Sequence, residues 1–425
     1  MNVPAMRNLV AFVVGFYVAS SLSGCKSDRD LESQRAAWRS GDTPLSRTVA
    51  PLATRSETVR RTAGGNSTSI RYSANATLPI ALVSQPQSAV CSGRKLGLYT
   101  WDQNNWRQPD SRLVKHLFGA NAQKYTCGDI LINVADYTNP AKIRDQEMLI
   151  PFMLNVRRSG NRGVIFLTYG DVVKRDYKSC KVFVDTFFDF VKTIPRHVVD
   201  TIQPIGISYD IEHFPVGVIT DTLQYAQQRK REFTENAVTG FGSEGILVQC
   251  TIEGHPKPVD TDAVMKYADR ALAMSYRNYI TGVGSRAGQN PKNDALVRAR
   301  FMLKEQCQRC LDDDYAKKHY KAKITFMVET ACKLGKSCSY ISFCAFDGKG
   351  KSGGIEYMTD VLDELDRQLT SSGLMTAEQK DRLLSKTSPY AVHDWDWTQC
   401  FYQDPSDSNP LCTDYRQLAA NCRNI

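Results

Sequence analysis

The sequence predicts an α/β fold, a single (β/α)8 barrel in which eight parallel strands close into a ring inside a layer of helices. Eight short apolar runs recur between residues 95 and 346, and both faces of each run are apolar, as in parallel strands covered by helices. Segments with helical periodicity separate most of these runs. An open doubly wound sheet usually has a glycine-rich loop after its first strand, whereas here the first run ends in Trp101-Asp102-Gln103. The closed TIM barrel is therefore favoured.

The predicted strands follow one another at intervals that leave room for helices. They comprise residues 95–101, 129–135, 163–170, 204–212, 245–253, 270–276, 323–329 and 339–346. Helical spacing is clearest in residues 181–194, where Phe183, Phe187 and Phe190 share one face. Further helices are predicted over residues 222–238, 292–306 and 354–370. We therefore expect the barrel to span residues 91–373.

The first 24 residues have the features of a secretory signal peptide. Residues 9–22 are apolar or small and uncharged, Arg7 precedes them, and a run of small residues follows. The stretch is short for a membrane span, which needs about 20 apolar residues. We therefore expect a secreted or extracellular protein with no stable membrane span after cleavage. An uncleaved signal anchor and lipid attachment at Cys25, in the lipobox-like segment 22–25, remain alternatives.

Two further segments flank the predicted barrel. Residues 25–90 are rich in Ser and Thr and poor in aromatic residues, so they predict a disordered linker or pro-segment. They contain two glycosylation sequons, 66–68 and 75–77. Residues 374–425 predict a short extension that packs on the barrel, with a helix over 376–386 and three cysteines that could tie it down.

Cysteine content indicates an oxidising compartment. The chain has 13 cysteines, and removing Cys25 leaves an even number that could form six disulfides. The alternative is metal binding, because Cys307 and Cys310 have zinc-knuckle spacing. No second pair with such spacing lies near them, so neither a metal nor another cofactor is predicted.

The charge of the chain argues against a nucleic-acid partner. The formal net charge is +9, but residues 91–425 hold 44 Lys and Arg against 40 Asp and Glu. Nucleic-acid-binding domains usually concentrate basic residues on one face.

Residues at the ends of the predicted strands suggest a carbohydrate ligand. Active sites of such barrels lie at the carboxyl ends of the strands, and here those ends are acidic or aromatic. Carboxylates accept hydrogen bonds from sugar hydroxyls, and aromatic rings stack on the C–H faces of pyranoses. The predicted substrate-binding residues are Trp101, Asp136, Tyr169, Arg277 and Asp347.

The fourth predicted strand carries the most informative pair. Because side chains alternate along a strand, Asp210 and Glu212 are expected to face the same side. Two carboxyl groups in one cavity can push their pKa values apart, which leaves one protonated as a general acid. An ion pair with a nearby Lys or Arg is the structural alternative.

This strand resembles the motif D-G-x-D-x-D-x-E of glycoside hydrolase family 18, the chitinase-like barrels. In residues 205–212, Gly206, Asp210 and Glu212 match, whereas Ile205 and Ser208 replace the first two aspartates. Residues 166–170 resemble the third-strand S-x-G-G through one glycine. Residues 274–277 resemble the sixth-strand M-x-Y-D through Met and Tyr, with Arg in place of Asp.

The resemblance implies a substrate-assisted hydrolysis of glycans that contain N-acetylhexosamine. Glu212 would protonate the glycosidic oxygen. Asp210 would orient the 2-acetamido group, whose oxygen attacks the anomeric carbon in place of a protein nucleophile. Tyr276 would hydrogen-bond that group. The absence of an aspartate at Ser208 and the presence of Arg277 are departures that bear on whether the protein is active.

Three other functions stay open. A retaining glycosidase could use Glu212 as acid/base and Glu329, at the end of the seventh predicted strand, as nucleophile. A non-catalytic chitinase-like protein could bind glycans without cleaving them. A metal-dependent phosphodiesterase could hold Mg²⁺ with Asp210, Glu212 and His213.

Overall fold

A computed structural model describes most of the chain after residue 90. The described residues are 91, 93–136, 139, 141–169, 176–210, 214–235, 239–252, 258–275, 291–330, 354–393 and 395–398. The predicted signal peptide, the linker over 25–90 with its sequons, the predicted strand 339–346 and residues 399–425 lie outside them.

Eight parallel strands form a closed barrel in the order of the chain, and the last strand pairs with the first. The strands are β1 (Leu96–Thr100), β2 (Ile130–Asn133), β3 (Ile165–Tyr169), β4 (Ile205–Tyr209), β5 (Ile246–Ile252), β6 (Arg270–Met274), β7 (Lys323–Glu329) and β8 (Tyr390–His393). The predicted fold class is confirmed.

Helices occupy the connections between the strands. They are α1 (Asn104–Arg107), α2 (Arg112–Leu117), α3 (Ala120–Tyr125), α4 (Leu149–Arg158), α5 (Tyr177–Thr193), α6 (Arg196–Ile202), α7 (Val216–Thr234), α8 (Pro258–Tyr267), α9 (Pro291–Phe301), α10 (Asp313–His319), α11 (Gly354–Ser371), α12 (Ala377–Leu383) and α13 (Trp395–Thr398). A 3-10 turn, Gln146–Met148, precedes α4, and a π-helical turn, Met302–Gln306, continues α9. The five helices predicted from the sequence correspond to α5, α7, α9, α11 and α12.

Side-chain alternation divides the strand residues between two buried layers. One set points outward and packs against the helices, which forms the main core. Phe183 and Phe187 of α5 are part of this main core. The other set fills the barrel interior and forms an inner cluster, whose buried members are Tyr99, Leu131, Val164, Phe166, Leu247, Leu272, Met274, Met327 and Ala391. Gly206 lies beside this cluster, and a Cβ there would meet the Phe166 ring at 2.5 Å. The glycine of the fourth strand thus leaves room for that ring.

The eighth strand lies later in the chain than the sequence predicted. Residues 390–393 pair with β7 from Phe326 to Glu329 and with β1 from Leu96 to Tyr99, which closes the barrel. The prediction of 339–346 as the closing strand was wrong, because that run is longer and richer in aromatic residues than the four-residue strand Tyr390–His393. The barrel therefore continues past residue 373, into the segment predicted to be a separate extension.

A buried arginine secures the amino-terminal end of β3 and β4. Arg157 of α4 is 3 % exposed, and its guanidinium donates to the carbonyl oxygens of Ile202 (2.9 Å), Gly163 (2.6 Å) and Pro204 (2.7 Å). It also reaches the carbonyl of Asn161 at 3.3 Å. Burial lowers the pKa of this guanidinium to about 10. One side chain therefore satisfies four carbonyl groups in two chain segments, the one before β3 and the one before β4.

The cysteines only partly follow the sequence prediction. Disulfides join Cys91 to Cys127 and Cys307 to Cys310. Cys180 and Cys250, however, are buried free thiols in the main core. The six disulfides that the even count allowed therefore do not all form, since Cys180 and Cys250 instead serve as small apolar side chains. None of the helices in the described residues is both long and apolar enough to cross a membrane.

Candidate active site

A row of polar side chains lines one side of the barrel interior. Asn133, Thr168, Ser208 and Gln249 occupy neighbouring register positions on β2 to β5, and each is at most 1 % exposed. Such positions usually hold Val, Ile or Leu in this fold. The Ser208 hydroxyl donates to Oε1 of Gln249 at 2.8 Å. We call these four residues the polar row. They place hydrogen-bonding groups in the barrel interior, where apolar side chains would be enough for packing.

Two atoms of the polar row have no hydrogen-bond partner among the described residues. They are Oγ1 of Thr168 and Nε2 of Gln249, and both are buried. Buried polar groups are normally paired, so each such group calls for an explanation. They lie on either side of Ser208, on β3 and β5.

Asp210 follows β4 directly, at the carboxyl end of the barrel. Because side chains alternate along a strand, Asp210 faces the same side as Gly206 and Ser208. Its backbone N–H donates to the carbonyl oxygen of Tyr169 at 3.1 Å, so the β3–β4 hydrogen bonding continues to this residue. The residue is 7 % exposed. Its negative charge adds to burial in raising the pKa of the Cys250 thiol on β5. A carboxyl group therefore lies next to the polar row where the fold carries its chemistry.

A second group of hydrogen-bonded side chains lies where β7, β8 and β1 meet. The indole Nε1 of Trp101 lies 2.6 Å from Nε2 of His393, and Nδ1 of His393 lies 2.7 Å from Oε2 of Glu329. The other carboxylate oxygen of Glu329 accepts from the backbone N–H of Thr330 at 2.8 Å. We call Trp101, His393 and Glu329 the indole chain. It is a continuous run of hydrogen bonds from a half-buried ring to a fully buried carboxylate.

The interior is therefore polar on one side and aromatic or apolar on the other. The polar row occupies β2 to β5, whereas Trp101, Met274 and Met327 line the side made by β1, β6 and β7. A pyranose ring has the same division between hydroxyl groups and C–H faces.

The described residues contain no group of three or more His, Cys, Asp or Glu that could hold a metal ion.

Two predicted substrate-binding residues have other surroundings. Tyr169 points outward: it is fully buried, and its ring stacks on Phe183 with centroids 4.1 Å apart. The prediction that Tyr169 lines the barrel opening was wrong, because the last residue of a strand can point inward or outward. Asp136 is half-buried after β2, and its carboxylate accepts from the backbone N–H of Asn139 at 3.2 Å, within a turn.

The remaining predicted residues lie outside the described residues. They are Glu212, Tyr276, Arg277 and Asp347. Asp347 was placed at the mouth because it follows the predicted eighth strand, and that reason fails now that β8 is Tyr390–His393. The roles of the other three stay predictions.

Sequence reasoning missed His393 and the polar row. His393 begins the run 393–397, in which acidic and aromatic residues alternate. Trp395 of this run is 1 % exposed and packs near His116, with ring centroids 4.6 Å apart, so it belongs to the core. The polar row could have been found from the polar residue that recurs in the middle of each of four apolar runs.

A polar groove lies on the helical shell and is lined mainly by residues of α7. Its volume is about 680 Å³, and its lining includes Tyr177, Tyr225, Arg231, Lys266 and Lys321. Two of its cations are engaged, since Lys266 pairs with Asp262 and Lys321 with Asp269. The groove contains no group of the polar row or the indole chain and is not the candidate site.

Neither a known family model nor any curated protein matches the sequence. Glycoside hydrolases are among the solved structures that match in fold. A class V chitinase from Nicotiana tobaccum is 10 % identical, with 76 % of this chain and 98 % of that chain covered and a TM-score of 0.38. A family 5 glycoside hydrolase from Prevotella bryantii is 11 % identical, with 76 % and 95 % covered and a TM-score of 0.42.

Another match is the spore cortex-lytic enzyme SleL from Bacillus cereus, at 11 % identity and a TM-score of 0.31. It covers 56 % of this chain, and this chain spans about half the length of SleL, 51 %. The structural neighbours thus include chitinases and other glycoside hydrolases. At these values the comparisons assign neither a substrate nor a site residue to this chain.

Proposed function

We propose that this protein is a secreted glycoside hydrolase that acts on glycans containing N-acetylhexosamine. The observation that carries the proposal is the position of Asp210. A nearly buried carboxyl group at the carboxyl end of β4 adjoins an interior with unpartnered polar groups on one side and an aromatic ring on the other. This combination of polar and apolar groups suits a sugar, whose hydroxyl and acetamido groups need hydrogen bonds and whose C–H faces need an apolar surface.

The proposed reaction uses the acetamido group of the substrate. Glu212, two positions beyond Asp210, acts as the general acid and donates a proton to the glycosidic oxygen as the bond to the anomeric carbon breaks. The acetamido oxygen attacks the anomeric carbon, and Asp210 orients and stabilises that group. Water then attacks the anomeric carbon and opens the cyclic intermediate, while the Glu212 carboxylate takes a proton from that water. The product therefore retains the anomeric configuration.

The surroundings of Glu329 favour this reaction over the mechanism with two glutamates. A nucleophilic carboxylate must present an oxygen to the anomeric carbon. Glu329 is fully buried, and its two oxygens accept hydrogen bonds from His393 and from the Thr330 backbone. We therefore assign Glu329 a role in holding other side chains.

Replacing Asp210 by Asn tests the proposal. Asn preserves the shape of the side chain but removes the charge that would stabilise the developing positive charge on the acetamido group. We expect kcat on a chitooligosaccharide to fall by about 10²-fold, as for the loss of one preorganised stabilising group. Initial rates and circular dichroism of both proteins provide the measurement.

The matched control is Asp200→Asn, because Asp200 is an exposed carboxylate on α6, which precedes the amino-terminal end of β4, whereas Asp210 follows its carboxyl end. It should leave kcat unchanged. Saturable sugar binding by the wild type without any turnover would instead support a non-catalytic glycan-binding protein.

A further inference from the structure

The indole chain has a defined direction of hydrogen bonding. An indole N–H can only donate, so Nε2 of His393 must accept from Trp101 across the 2.6 Å contact. The proton of the neutral imidazole therefore lies on Nδ1, from which it is donated to Oε2 of Glu329 at 2.7 Å. The buried carboxylate thus selects the tautomer of His393, and that tautomer provides the acceptor for Trp101.

The same contacts fix the orientation of the Trp101 ring. Its nitrogen edge is held by His393, whose ring lies nearly perpendicular to the indole, at an interplanar angle of 84°. Tyr99, below it on β1, packs against the indole with centroids 4.9 Å apart. His393 and Glu329 are 9 % and 0 % exposed, whereas Trp101 is half-buried. A rigid support therefore lies beneath a ring that remains accessible.

We infer that His393 and Glu329 are positioning residues that hold the Trp101 indole as the sugar-stacking platform of the barrel mouth. The inference rests on the proposed function for the identity of the ligand, a pyranose. The hydrogen-bond chain itself does not depend on that function. A platform of this kind contributes to substrate binding, so its loss raises KM and changes kcat little.

Two substitutions of His393 separate its two hydrogen bonds. The amide nitrogen of Asn, at the place of Nδ1, can still donate to Glu329, but Asn has no acceptor that reaches Trp101. Gln places its amide oxygen near the position of Nε2 and restores an acceptor for the indole. We expect His393→Asn to raise KM for a chitooligosaccharide about three- to tenfold, and His393→Gln to recover most of that loss.

A spectroscopic measurement tests the positioning without any substrate. The chain has five tryptophans, so its indole N–H groups give a small set of ¹H–¹⁵N signals, and Trp101→Phe identifies that of Trp101. The signal should move in His393→Asn and remain near its wild-type place in His393→Gln. An unmoved signal in a folded His393→Asn protein would overturn the inference.

A double-substitution cycle with Trp101→Phe completes the test. If His393 acts through the indole, His393→Asn should have no further effect on KM once Trp101 is Phe. An equal rise in KM in both backgrounds would contradict the inference. Failure of the wild type to bind or cleave any glycan would refute the proposed function and with it the sugar-stacking role, while the indole signal would still decide whether His393 positions Trp101.

Discussion

Replacing Glu212 by Gln is expected to lower kcat on a chitooligosaccharide by about 10²–10⁴-fold, the usual contribution of general acid catalysis. Gln has nearly the same shape and can form hydrogen bonds, but it cannot donate a proton to the leaving oxygen. The fold should persist, as measured by circular dichroism and thermal unfolding. Glu235→Gln is the matched control, because Glu235 is an exposed glutamate after α7 and should tolerate the change.

The same assay with Glu329→Gln separates the two hydrolytic mechanisms. If Glu329 were the nucleophile, kcat should fall about as far as in Glu212→Gln. A role in the indole chain predicts instead a rise in KM with a mild change in kcat, because the amide can replace only one of the two acceptors that serve His393 and Thr330. If the Glu212→Gln protein had the same kcat as the wild type, both mechanisms would be contradicted.

The second large effect concerns stability. Replacing Arg157 by Met should lower the free energy of unfolding by at least about 3 kcal/mol, since each buried carbonyl left without a donor costs about 1–3 kcal/mol. Arg157 serves carbonyl groups before β3 and β4, so the loss affects the entry of both strands into the barrel. Urea unfolding followed by fluorescence and circular dichroism gives the difference.

Arg162→Met provides the control for this measurement. Arg162 is exposed and belongs to the same connection between α4 and β3, and its replacement should change stability by no more than about 0.5 kcal/mol. A loss below about 1 kcal/mol in Arg157→Met would mean that the barrel relaxes to pair those carbonyls in another way.

Seven of the eight strands could be predicted because each is a mostly apolar run, and the local sequence shows such runs directly. The eighth could not, since Tyr390–His393 is a short run whose strand character comes from pairing with β1 and β7 rather than from its composition. Tyr169 shows a related limit. Tyr169 is the last residue of β3, which predicts a side chain at the carboxyl end of the barrel. Because side chains alternate along the strand, this one points outward and stacks on Phe183 of α5.

The candidate site was predictable to a similar extent. Asp210 follows from strand alternation, which is local. The indole chain joins residues 101, 329 and 393, and no spacing rule connects positions that far apart until the order of strands around the barrel is known. Its discovery therefore depends on the correct assignment of β8.

The central claim is that the barrel mouth cleaves glycans with the help of their acetamido groups. The most direct measurement compares the wild type on a chitooligosaccharide and on the fully deacetylated oligomer of the same length, with products resolved by chromatography. The account predicts turnover of the acetylated oligomer and none of the deacetylated one, because the attacking oxygen is absent from the latter. Equal turnover of both oligomers, or turnover of neither, would contradict it.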